Sequence, residues 1–219
     1  MSDAELAACR GMLARVPAAV AAWSDGNARL DPVDVVTADA PVRGLARVGG
    51  GWWLNPESAR ALLDPILAGV ASVDSIIALY PSDGDRGLTG AWGYTWGRVG
   101  WLGGGGFSSI VSDPWTGWAG MEDAEHGFVH EWLHQVEAVY RALGLSMDEL
   151  PTLHDVADRR TTRTDAPDRD ETYVEHERRT RSWRPWYRDY MTGTVGPKTG
   201  EAPAVRGLTP ERWARRPDR

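Results

Sequence analysis

The chain has 219 residues, 42% hydrophobic and 25% charged, which suits one globular core with room for a small satellite lobe. A net charge of −7 lacks the basic balance that a nucleic-acid partner asks for. The single cysteine, Cys9, excludes an intrachain disulfide and a cysteine-built metal centre.

Residues 3–23 predict a helix, with Leu6, Met12, Leu13, Val16, Val20 and Trp23 at helical spacing and Pro17 as a break or kink. Asp3, Glu5, Arg10 and Arg15 interrupt any apolar run there, and no later stretch reaches 18 apolar residues. Neither a signal peptide nor a membrane span is expected, and the expected location is cytoplasmic. Residues 33–54 predict short strands around Gly44 and Gly49-Gly50-Gly51. Asn55-Pro56-Glu57 starts a helix over 56–69 that stops at Gly69. Val73–Tyr80 predicts a buried strand.

Two strands follow, near 91–102 and 106–112, in a stretch rich in Gly and Trp. The four glycines 103–106 between them are either a flexible turn or a place where a ligand or another backbone comes close. Residues 121–143 predict the clearest helix, stopped by Gly144. Residues 145–182 read as irregular, 183–191 carry aromatics at helical spacing, and 194–219 read as a flexible tail. Twelve tryptophans stand against two phenylalanines, so the large apolar side chains are mostly indoles. They either fill the core or line a half-exposed groove.

The helix from Gly127 contains His130-Glu131-Trp132-Leu133-His134. Two histidines at i and i+4 stand one above the other, so their imidazoles can converge on one ion at about 2.0–2.1 Å each. Glu131 lies about 100° around the helix, within reach of a water at that ion but not a ligand of it. A zinc ion acidifies such a water, and the carboxylate takes its proton. Phe128, Val129, Trp132, Leu133, Val136, Val139, Tyr140 and Leu143 gather on one face, while His130, His134, Glu137 and Arg141 gather on the other.

HEWLH, with strands before it and a shorter part after it, resembles the active-site helix of the zincin metallopeptidases. Glu137 and Tyr140 stand where the metzincin subgroup has Gly and His. The resemblance implies an α+β fold: a mixed twisted sheet packed on helices that include the HExxH helix, with a smaller C-terminal sub-domain. It implies one catalytic domain over 1–193, with an N-terminal lobe 1–144 and a C-terminal lobe 145–193. It also implies a zinc-dependent peptidase with Glu131 as general base. An antiparallel edge strand would pair with a peptide or protein substrate, and Gly103–Val111 is the segment expected to supply it.

A catalytic zinc takes three protein ligands, and His154 in PTLHD is the leading candidate to join His130 and His134. Asp155, Asp158, the other acidic residues and His176 are the alternatives. Glu137 could ligate directly or support a ligand. The resemblance makes Tyr187 and Tyr190, and also Arg188, candidates to stabilise the oxyanion of the tetrahedral intermediate. His126, one turn before His130, could line the site or sit on the helix surface. Two other functions fit the residues: an iron or other metal enzyme with a two-histidine, one-carboxylate site, and a Trp-rich module that binds glycan or peptide.

Overall fold

The computed structural model describes residues 2–31, 36–37, 43–70, 72–81, 93–111, 122–162 and 170–215. Among them are seven α-helices and five strands, an α+β chain. Two compact units divide it. The first holds Met1–Gly11, Asp34–Ala119 and Glu131–Ala138; the second holds Met12–Val33, Gly120–His130 and Val139–Arg219. No described helix is long and apolar enough to cross a membrane.

Helix α1 (Asp3–Trp23) runs unbroken through Pro17. Its buried stripe of Cys9, Met12, Val16, Val20 and Trp23 has the expected helical spacing. In the first unit, β1 (Leu45–Val48) and β2 (Gly51–Leu54) pair antiparallel. Gly49 and Gly50 between them both have positive φ, 56° and 84°, as a two-residue hairpin turn requires. Asn55 caps α2 (Pro56–Leu67), its side chain accepting from the Ser58 N–H at 2.9 Å. Strands β3 (Ser75–Tyr80), β4 (Gly93–Arg98) and β5 (Gly106–Val111) form a mixed sheet in the order β3-β5-β4. β5 runs parallel to β3 and antiparallel to β4. The core of this unit gathers around Trp53, Leu54, Tyr80, Leu102, Phe107 and Val111.

The order of strands corrects one expectation. Residues 106–111 are not an edge: β5 is hydrogen-bonded on both sides and all six of its residues are buried. Its backbone groups are taken by neighbours, so Gly103–Val111 cannot add a peptide strand. Among the described residues the antiparallel edge is β4. The glycine run turns the chain at Gly103 and Gly104. At Gly105 and Gly106 it admits close neighbours, since an added Cβ would meet the Val73 carbonyl and the Gln135 side chain respectively.

Helix α3 (His126–Ala142) passes through both units. In the second unit it is followed by α4 (Leu153–Val156), α5 (Tyr173–Thr180), α6 (Arg184–Thr192) and α7 (Pro210–Trp213). The stretch 145–182 is therefore not irregular throughout. Thr152 caps α4, and Thr172 with Glu175 makes a reciprocal capping box for α5. Residues 139–219 share the second unit with residues 12–33 and 120–130.

The expected tail packs at both ends of an exposed stretch, 199–205. Leu208 is fully buried and Val195 nearly so. Thr194 and Arg206 form a parallel bridge, and the Trp213 indole donates to the Met191 carbonyl at 2.8 Å. Asp189, also fully buried, accepts from the Tyr173 hydroxyl at 2.6 Å, the Thr194 hydroxyl at 3.1 Å and the Thr162 N–H at 3.2 Å. These bonds tie α5, α6 and the segments at 162 and 194 together. Residues 216–219 lie outside the described residues. Leu208→Ala is expected to lower the unfolding free energy by about 2–5 kcal/mol in urea, as for other buried leucines. An unchanged midpoint would mean that this segment does not contribute to the core.

Candidate metal centre and active site

Helix α3 has three kinds of side. Phe128, Val129 and Leu133 are fully buried, as the apolar periodicity predicts. His130 and His134 are partly exposed. Glu131 and Gln135, one turn apart, are buried against the three-stranded sheet. Arg141 in the last turn donates to the carbonyls of Leu145 and Leu150, which fixes the chain leaving the helix. That exit leads through Leu150 and Pro151, both buried, to α4.

His130, His134 and His154 converge. One potential ligand atom from each lies within 4.8 Å of the other two. Ligand atoms around a tetrahedral zinc at about 2.0–2.1 Å stand roughly 3.3 Å apart, so small side-chain rotations would close the set. His154 is exposed, but its backbone is held by Leu153 and Val156, both fully buried, and by the Thr152 cap. Its ring stacks on that of His130 with centroids 5.5 Å apart.

The other nitrogens of the helix pair have neighbours of their own. The Tyr187 hydroxyl lies 3.1 Å from His130 Nδ1, and Glu137 Oε2 lies 3.6 Å from His134 Nδ1. Partners on Nδ1 orient the rings and leave Nε2 for an ion, the usual arrangement of metal-binding histidines. Tyr187 is itself fixed: it is fully buried and stacks on Trp23, Trp183 and Trp186, with centroids 5.6, 6.3 and 5.9 Å away.

Glu131 is only 6% exposed. Its carboxylate accepts a hydrogen bond from the Thr95 hydroxyl of β4 at 2.7 Å. Burial raises its pKa, while the nearby His134 and the Thr95 bond pull it back down. A carboxylate in this setting has more affinity for a proton than a solvated one, which is what a general base near neutral pH needs.

The alternative ligands lie in other arrangements. Asp155 is bound by Arg159, at 2.9 and 3.1 Å, and by Lys198. Asp158 is exposed and is not part of the cluster. His176 is buried, with Nδ1 2.9 Å from Glu171. Glu137 stands beside the His134 ring and is not part of the cluster. Tyr187 and Tyr190 are both fully buried, which does not suit the expected oxyanion role, since a group that stabilises an oxyanion must meet the substrate. Arg188 pairs with Asp25 at 3.4 Å. Of the described tryptophans Trp23, Trp53 and Trp186 are buried in the core, Trp52 is exposed, and the rest are half-buried. Trp92, Trp115 and Trp118 lie outside the described residues.

His126 is neither on the surface nor in the metal cluster. It is fully buried, donates from Nδ1 to the Asp123 carbonyl at 3.2 Å, and stacks flat on Trp183 at 4.3 Å. The sequence could not distinguish this position from a surface one, because the ring that covers it, Trp183, comes from a distant segment.

Comparisons with protein-family models, curated proteins and solved structures return no match to this chain.

Burial lowers the His126 pKa from 6.5 to about 3, because the charged ring would lose its hydration. Between these two values the unfolded chain holds a proton that the folded chain does not. The stability tied to this neutral ring is therefore fully present above about pH 6.5 and declines as pH falls toward 3. The expected slope from this one group is about 1.4 kcal/mol per pH unit. Unfolding of His126→Phe, measured across that window beside the wild type, should lack this contribution; equal slopes would assign the acid sensitivity elsewhere.

Proposed function

We propose that the chain is a zinc-dependent amide hydrolase of the zincin type, acting on peptide or protein. The observation that carries the proposal is the convergence of His130, His134 and His154 beside the buried carboxylate of Glu131. An all-imidazole set suits zinc, and among the described residues no carboxylate of the kind that a two-histidine iron site would use joins the cluster. His130, His134 and His154 would hold the ion, which supplies a Lewis acid that acidifies water and polarises a carbonyl.

The residues of the chain do the rest. Glu131 accepts the proton of the attacking water and returns it to the departing amine. Thr95 keeps that carboxylate in place from the β4 side. Tyr187 holds the His130 ring, and Glu137 stands at the His134 ring. A peptide substrate would extend the sheet at β4, the antiparallel edge among the described residues, which would lay its backbone beside Glu131. The metal cluster distinguishes this reading from a Trp-rich binding module, whose indoles would have to be open to a ligand.

Metal analysis of the purified protein tests the proposal first. About one zinc per chain is expected, lost in His134→Ala and in His154→Ala. Iron in its place, or no metal after zinc is offered, would refute the zinc site. Glu131→Gln should keep the zinc and lose about a hundredfold or more in peptide hydrolysis; full activity in that variant would remove the base from the mechanism. Tyr187→Phe should keep the fold and weaken zinc binding by about 10–100-fold, measured by competition with a chelator. Unchanged affinity there would leave Tyr187 as a packing residue only.

A further inference from the structure

The bond from Thr95 to Glu131 is the end of a longer chain of polar groups. The Thr95 hydroxyl has one proton and three oxygens nearby: Glu131 Oε2 at 2.7 Å, Ser108 Oγ at 2.7 Å and the Glu131 carbonyl at 3.1 Å. Gln135 holds the second hydroxyl of the chain. Its Nε2 lies 3.1 Å from the Ile76 carbonyl, which can only accept, so the amide is oriented with nitrogen on that side. The other N–H of the same nitrogen points to Ser108 Oγ at 2.7 Å. Ser108 is therefore an acceptor from Gln135 and can give its own proton to the Thr95 oxygen or to the Glu131 carbonyl, 3.3 Å away. The ionised carboxylate has no proton to offer and is the strongest acceptor of the three oxygens, so it takes the Thr95 proton.

The backbone is shaped for this chain. A Cβ at Gly93 would lie 2.5 Å from Glu131 Oε1, and a Cβ at Gly106 would run into the Gln135 amide. Thr95 and Ser108 are direct cross-strand partners, two residues on from those glycines on β4 and β5. Small residues thus face α3 at both levels, and the four polar groups fill the space.

We infer that Thr95 is a positioning residue for Glu131, and that Gln135, holding Ser108 against the Thr95 hydroxyl, supports that bond from behind. The link to catalysis rests on the reading of Glu131 as the base; the bond itself does not. Gln135 lies outside HExxH and has no place in the metal cluster, so this gives it a role of its own.

Two measurements on the full chain test the inference. The first is urea unfolding of the metal-free protein carrying Thr95→Val, Glu131→Ala or both. Thr95→Val should lower the midpoint in the wild-type background and lose more than half of that effect in the Glu131→Ala background. Additive shifts would overturn the bond. The second is steady-state hydrolysis by the zinc-loaded protein. Thr95→Val and Gln135→Met should lower kcat about tenfold or more, with KM and zinc content unchanged, and Thr95→Ser should recover most of the loss. Wild-type kcat in Thr95→Val would overturn the positioning role. Coupled unfolding in a protein that binds zinc and hydrolyses no peptide would instead overturn the reading of Glu131 as a base, and the catalytic role of Thr95 with it.

Discussion

Helix α3 can bury a carboxylate and an amide against β4 and β5 only because Gly93 and Gly106 carry no Cβ at the two places where those side chains lie. A helix seated on an ordinary strand pair would meet branched apolar residues there, and Glu131 would be turned away or left without partners. With the glycines in place, Thr95 and Ser108 offer hydroxyls at the same depth, and the polar side of the helix becomes an inward side. The positions of His130 and His134 follow from the same seating, since they lie one residue before Glu131 and one before Gln135 on a rigid helix.

This seating works against stability. A carboxylate that is 6% exposed loses most of its hydration, and its raised pKa reports the cost. The Thr95 hydroxyl and the neighbouring His134 recover part of it. Nothing in folding alone calls for an acid at position 131; an apolar residue of similar size would pack there without an ionisable group to desolvate. A group held at a cost, in a site shaped to hold it, is what functional placement predicts.

Much of this was legible in the sequence, and the misses have physical causes. The spacing of His130 and His134 fixes their shared face before any tertiary contact is known, and the Pro-turn at 151 allows His154 to return to them. The hairpin at Gly49-Gly50 and the strand at 75–80 follow from local chemistry in the same way. Sheet order does not: whether 106–111 is central or at an edge depends on its pairing with β3, more than twenty-five residues earlier. Helical spacing also does not reveal that Glu131 and Gln135 are buried, because the glycines that make room for them lie on strands distant in the sequence. Thr172-x-x-Glu175 was a readable helix start hidden by the charges around it. Leu208 and Trp213 were hidden in a stretch whose Pro, Gly and Arg content suggests a tail.

The aromatic stack around Tyr187 also gives the protein an optical property. Trp23, Trp183 and Trp186 all stack on the tyrosine whose hydroxyl touches His130. Three indoles therefore stand within one side chain of the histidine cluster. Were the cluster to hold a metal as proposed, a paramagnetic ion such as copper(II) or cobalt(II) there would quench their emission, whereas zinc would not. The fluorescence of the unlabelled protein would then serve as a built-in gauge of metal exchange, readable in real time and in the absence of any substrate.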